Sequence, residues 1–104
     1  MIIDIKPSTK KNKRFQATIL QHNGVEKKID FGLKDGTTYI DNMRTTQERH
    51  NYWQRHLANK TEKKLIENLV PSASLLSSMV LWGKSKSLEK NVDELNKLWK
   101  EKYK

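Results

Sequence analysis

Between residues 15 and 31 the apolar side chains, Leu20 apart, keep to odd positions, Phe15, Ala17 and Ile19, then Val25, Ile29 and Phe31. A period of two is the mark of a strand with one buried face. Asn23-Gly24 falls between the two runs, and a type I′ hairpin turn needs positive φ at both of its central residues, so strands are predicted at about 14–21 and 25–32. Met1 to Ile5 is a further short strand-like run ended by Pro7, and Lys6 to Arg14 reads as a flexible basic loop without an apolar anchor. Gly32 and Asp35-Gly36 punctuate the chain before Thr37-Thr38-Tyr39-Ile40, which predicts one more short strand.

After Ile40 the period lengthens. Asp41 or Asn42 can cap a helix, and Thr45-Thr46-Gln47-Glu48 holds the spacing of a capping box. Met43, His50, Trp53 and Leu57 form one helical stripe, with Arg49, Tyr52 and His56 on the stripe beside it. This predicts a helix ending near Asn59, with His50, Trp53 and Leu57 inward and Arg49, Tyr52, Arg55 and His56 outward or at the rim. Thr61 is the expected cap of a short helix carrying Leu65, Ile66, Leu69 and Val70, which Pro71 stops. Ser72 then restarts the chain into Leu75, Leu76, Met79, Val80 and Trp82, with Gly83 as the expected C′ residue. Ser85 or Ser87 caps a last helix whose Leu88, Val92, Leu95, Leu98 and Trp99 make an amphipathic stripe. Strands followed by helices predict an α+β domain: a small antiparallel sheet, made of the hairpin and one or two short strands, with three or four helices on one face.

A length of 104 residues suits a single domain, β-rich over 1–40 and helical over 41–104. The absence of cysteine excludes disulfides, thiolate metal sites and cysteine nucleophiles. No apolar run approaches the roughly 18 residues of a membrane span, so membrane insertion is not expected. Met1 to Ile5 also lacks the basic flank and cleavage region of a signal peptide. The net charge of +9 is the strongest global signal, and such a field attracts nucleic acid, anionic membrane or acidic protein surfaces, naming a sign and not a partner.

The segment from Glu48 to His56 concentrates histidine, arginine, tyrosine and tryptophan, and raises the question of an active site. His50 and His56 stand six apart, not at the i, i+4 spacing that lets two imidazoles share zinc, so no metal is expected. A nucleophilic mechanism would pair a histidine with a hydroxyl and an orienting carboxylate. No spacing here requires that arrangement, and the serines lie in no nucleophile elbow. No cofactor, catalytic residue or small-molecule substrate follows. The basic residues remain: Lys10, Lys11, Lys13 and Arg14 at the start of the hairpin, Lys27 and Lys28 on its second strand, and Arg44, Arg49 and Arg55 on the following helix. With Tyr52 and His56 they are the candidate contact surface for a partner, and Leu88, Val92, Leu95 and Trp99 are a candidate packing interface.

Lys13-Arg14-Phe15-x-Ala17, Lys28-Ile29-Asp30-Phe31-Gly32, Thr38-Tyr39-Ile40-Asp41, Arg49-x-x-Tyr52-x-x-Arg55-His56 and Leu81-Trp82-Gly83-x-Ser85-x-Ser87-Leu88 follow one another in the chain. As an ordered set they resemble a family of small basic proteins of unknown function from large nucleocytoplasmic DNA viruses of algae and amoebae and from their satellite viruses. The resemblance covers roughly residues 13–92, while the span from Asn59 to Leu76 is longer and more apolar than that family's pattern. It implies a non-enzymatic protein of the virion, an accessory or minor capsid type, present in the host cytoplasm or viral factory during assembly. Its expected partners are acidic protein surfaces, capsid proteins among them, or packaged DNA. The alternative is a sequence-nonspecific nucleic-acid-binding protein that uses the basic hairpin and the Arg44–Arg55 helix.

Overall fold

The structure, a computed structural model, describes residues 1–41 and 44–103. The expected cap Asn42 and stripe residue Met43 lie outside the described residues. Three antiparallel strands, β1 (Ile2–Pro7), β2 (Lys13–Leu20) and β3 (Glu26–Leu33), form a sheet in the order β1-β2-β3. Phe15 opposite Phe31 and Ala17 opposite Ile29 turn one face toward the helices, while Gln16 opposite Asp30 and Thr18 opposite Lys28 make the other face polar. The alternation read from the sequence therefore sets the register.

The hairpin turn departs from type I′. Gly24 has φ of 84°, but Asn23 is not in the left-handed region. Gly24 N–H donates to Gln21 O at 3.0 Å or less (2.9 Å), and the loop closes with Gln21 N–H on Val25 O at 3.1 Å. A three-residue loop that ends in a left-handed glycine needs only that one special residue. Pro7 also behaves differently from expectation, since it is the last residue of β1 rather than its stop. On an outer strand its missing N–H costs no ladder bond. The first residue of that edge is covered too: the register shifts between Ile2 and Asp4, and the Asn96 side chain accepts from Ile2 N–H (2.7 Å) and donates to Ile2 O (3.1 Å).

Thr37 to Ile40 is not a strand, and Tyr39–Asp41 forms a 3-10 turn instead. The Asp41 carboxylate accepts from Thr38 N–H at 2.7 Å and from its hydroxyl at 2.9 Å, and Arg14 grips it with two bonds of 2.7 and 2.9 Å. Local capture of a backbone donor by an acidic side chain overrides β propensity here. The Arg14 hydrogen bonds, followed by those from Thr38, hold the Asp41 carboxyl at about 2, against an ordinary 3.8. A carboxyl depressed in the fold stabilises above its unfolded pKa, and that stability is lost as pH falls from about 4 to about 2. Asp41→Asn should therefore cost about 1–2 kcal/mol at neutral pH, allowing for screening of a partly exposed pair. In urea unfolding the gap to wild type should close as the pH approaches 2; a gap of the same size at both pH values refutes the assignment.

Four helices follow: α1 (Thr46–Leu57), α2 (Lys60–Glu67), α3 (Ala73–Leu76) and α4 (Leu88–Lys102). Thr45 and Glu48 cap each other's backbone in the expected capping box, and α1 ends with Ala58 as its C-cap, next to Asn59 as expected. Asn59 then starts α2, its side chain accepting from Thr61 and Glu62 N–H at 3.0 and 3.1 Å, so Thr61 lies inside the helix it was expected to cap. That helix stops before Leu69, which takes φ of 53°, with Leu69 N–H on Ile66 O and Val70 N–H on Leu65 O. This is a Schellman end in which leucine holds the place usually given to glycine. Ser72 caps α3 as expected, and the chain runs on into a π-helical turn, Ser77–Leu81, closed by Trp82 N–H on Ser77 O. Ser87 caps α4, and the Ser85 hydroxyl accepts from Ser87 N–H.

One hydrophobic cluster joins the sheet to the helices through Ala17, Ile19 and Phe31 on one side and Ile66, Leu75, Leu76, Val80, Leu81, Leu95 and Trp99 on the other. The α4 stripe thus packs on its own domain. Leu95 and Trp99 are buried, Leu88 and Val92 pack partly buried against the cluster, and the Trp99 indole donates to Leu69 O at 2.8 Å.

Candidate functional site

Trp53 and Leu57 of α1 pack against the hydrophobic cluster and Arg55 is exposed, as expected, but Arg49 and Tyr52 turn inward and His50 does not. Tyr52 is 8% exposed, whereas His50 lies on the solvent side. The Tyr52 ring stacks on Trp82 (centroids 4.5 Å apart, planes 5° apart), and the His56 ring lies 4.1 Å from its centroid. Its hydroxyl is 3.5 Å from that of Ser78, and burial raises the phenol's pKa above its ordinary value. Tyr52 turns inward because both its ring and its polar tip find partners. Arg49 follows: its Nε donates to Trp82 O at 3.1 Å and Gly83 O at 2.8 Å, and the Trp53 indole donates to Trp82 O at 2.7 Å.

Glu48, Asn51, Tyr52, Arg55 and His56 fall at i, i+3, i+4, i+7 and i+8, one stripe of α1, and this stripe walls a groove of about 880 Å³. Lys13, Gly32 and Leu33 from the sheet and Gly36 to Thr38 from the following loop form the facing wall. Glu62 of α2, with Ser74 and Ser77, closes one end. Arg44 is drawn to the start of α1 by Glu48, at 2.6 Å, and this hydrogen bond, ahead of the cap's, lowers the Glu48 pKa. At the other end His56 Nδ1 lies 3.1 Å from both oxygens of Glu62, and the Ser74 hydroxyl donates to Glu62 at 3.3 Å.

Hydroxyl, imidazole and carboxylate meet here, Ser74 and His56 both bonding to Glu62. The carboxylate stands between the hydroxyl and the ring, however, which is not the order of a serine–histidine–carboxylate triad, where the ring lies beside the hydroxyl. Ser74 is a hydrogen-bond donor to Glu62, and the His56 ring does not reach its hydroxyl through a hydrogen bond. Among the described residues no group of three or more His, Asp or Glu side chains could hold a metal ion. Lys13 and Arg55 meet no carboxylate among the described residues, and Arg55 lies over the Tyr52 ring at 5.9 Å. The groove can therefore offer two uncommitted cations, several neutral hydroxyl and amide groups, and an apolar lip.

Of the candidate contact residues, the groove brings together Lys13, Arg44, Tyr52, Arg55 and His56. Arg14 and Arg49 are committed inside the fold, one to Asp41 and the other to backbone carbonyls. Lys10 and Lys11 lie on the loop between β1 and β2, where Lys10 pairs with Asp30 at 3.4 Å. Lys27 opposes Ile19 and Lys28 opposes Thr18, so their side chains leave opposite faces of the sheet and cannot share one contact surface. Asn51, Glu62, Ser74 and the Thr37–Thr38 pair were not foreseen as groove residues. The spacing of Glu48, Asn51 and Arg55 on one helix could have revealed Asn51, whereas Glu62 and Ser74 arrive only through packing.

No curated protein and no solved structure matches the chain. A family of unknown function, DUF5754, matches residues 3–56, which take in the sheet, the 3-10 turn and nearly all of α1, including the groove's helical wall. Because that match spans more than half of its length, the chain belongs to this family of unknown function.

Proposed function

We propose that the protein is a non-enzymatic interaction module of a virus particle that docks on acidic protein surfaces, with the groove along α1 as its contact site. The particle setting comes from the resemblance of its ordered sequence blocks to small basic viral proteins. One observation supports the docking role. Of the 21 lysines and arginines, Lys104 lies outside the described residues, and of the other twenty only Lys10, Arg14, Arg44 and Lys63 meet a carboxylate within 4.0 Å. The fold satisfies its own acids with few cations and leaves the surplus outward, where it steers anionic partners. Acidic protein is favoured over nucleic acid because Glu48 and Glu62 stand in the groove wall and would repel a continuous phosphate track. The ring of Tyr52, held between Trp82 and His56, has no free face on which a base could stack.

Fluorescence anisotropy with polyglutamate and with a DNA duplex tests this reading. Lys13→Ala combined with Arg55→Ala should weaken polyglutamate binding about tenfold at unchanged Tm, a change of about 1.4 kcal/mol. Unchanged affinity in that variant, or purified particles without the protein by mass spectrometry, would overturn it. Tight duplex binding that falls by ~10³-fold between 50 and 200 mM salt would hand the surface to DNA instead.

A further inference from the structure

A second concavity, of about 560 Å³, lies at the opposite end of the sheet, between the hairpin turn, Pro71 and the last turns of α4. Its character differs from that of the groove. Ile19, Leu20, Trp99 and Tyr103 contribute to its lining, and the Tyr103 ring is stacked against His22 with centroids 4.5 Å apart. Three of its lining side chains, Met1, Leu20 and Tyr103, are 50%, 39% and 45% exposed, and Val70, next to the lining residue Pro71, is 38% exposed. Large apolar side chains gathered around a concavity mark a docking surface, whereas the same residues scattered singly would mean nothing.

The chemistry of the lining narrows the occupant. Among the described residues no aspartate or glutamate lines this pocket, while Lys100 does, and the Lys102 ammonium sits 5.3 Å from the centre of the Tyr103 ring. The complement of such a surface is an apolar side chain flanked by carboxylates. A second copy of the chain, itself at +9, would bring like charge to the contact. A sugar-phosphate backbone has no apolar group to fill the floor, and His22 already covers one face of Tyr103.

We propose that this pocket is the docking site for an acidic amphipathic segment of a partner protein. The segment seats a leucine or aromatic side chain among Leu20, Trp99 and Tyr103 and sets its carboxylates toward Lys100. The surface is separate from the groove along α1, and the inference stands without the groove reading.

An NMR titration of the full chain tests it, with two synthetic helical peptides as probes. One carries leucine and tryptophan on one face and glutamate on the other; its counterpart has lysine in place of glutamate. The acidic peptide should shift the resonances of Leu20, Asn96 and the Trp99 indole. Leu20→Asp and Tyr103→Asp, both at exposed positions and each checked for a folded spectrum, should each raise its Kd about tenfold or more. Read at the Trp99 indole, that Kd should be unchanged by Lys13→Ala with Arg55→Ala, which removes only glutamate binding at the groove, and the lysine peptide should bind the pocket at least about tenfold more weakly. Shifts confined to the groove, equal binding of the two peptides, or indifference to both aspartate variants would overturn the proposal. So would a concentration-dependent dimer in sedimentation that Leu20→Asp dissolves, since a second copy would then be the occupant. Because the groove variants are read with polyglutamate and the pocket variants with the amphipathic peptide, failure of either proposal is seen apart from the other.

Discussion

Gly83→Ala should destabilise the protein by roughly 3–5 kcal/mol, more than a single added methyl group normally does. A Cβ at this position would stand 2.3 Å from Met79 O and 2.6 Å from both Cγ and Oδ1 of Asn91. The first of these is backbone and cannot rotate away. Asn91 is equally fixed, because its side chain donates to Val80 O at 2.9 Å and Ser85 O at 2.8 Å and accepts from Ser85 N–H at 3.0 Å. Displacing it would leave buried polar groups without partners. The same corner receives Arg49 and the Trp53 indole, so movement there would also loosen α1. Gly24→Ala is the natural control, since its Cβ would meet nothing within 4 Å and only its φ of 84° is at stake, at about 1–2 kcal/mol. Thermal denaturation of the two variants side by side decides the matter: if they lose equal stability, close approach is not what selects glycine at 83.

Leu95→Ala should cost on the order of 2–5 kcal/mol in the isolated protein, because Leu95 is 0% exposed at the centre of the face that α4 turns to the cluster. Chemical denaturation of free protein is the measurement that counts. A loss that appeared only in an assembled particle would return the Leu88, Val92, Leu95 and Trp99 stripe to the role of an intermolecular interface.

The elements of the fold were legible where local pattern and tertiary packing agree. Phe15, Ala17 and Ile19 alternate because one face of β2 is covered, and Thr45 with Glu48 announces α1 because a capping box closes within the segment itself. Tyr39 and Ile40 misled because their β propensity yields to Asp41, whose carboxylate is in turn held by an arginine 27 residues away. The end of α2 misled in another way. Pro71 suggested a helix running to its doorstep, but the Schellman closure comes earlier and puts Leu69 in a conformation that leucine rarely takes. For the site, Trp53, Leu57 and Arg55 of α1 lie where expected, but Arg49 and Tyr52 were misassigned because they were weighed by polarity. What decides their direction is the set of acceptors on Trp82, Gly83 and Ser78, which a one-dimensional pattern does not display. Five of the basic and aromatic candidates do meet in one groove, since four of them lie on or just before a single helix.

The closure of β1 by Asn96 sets an order of events. The two residues are 94 apart in the chain, so the side chain that covers the outer backbone of Ile2 is made and docked long after the strand it protects. In any folding intermediate with a formed sheet and an undocked α4, that edge is bare, with the side chain of Ile3, 48% exposed even in the finished fold, beside it. The vulnerable interval therefore lasts from the formation of the sheet until α4 docks. During that interval the lysines around the hairpin, which keep neighbouring chains apart by charge, are the edge's main protection.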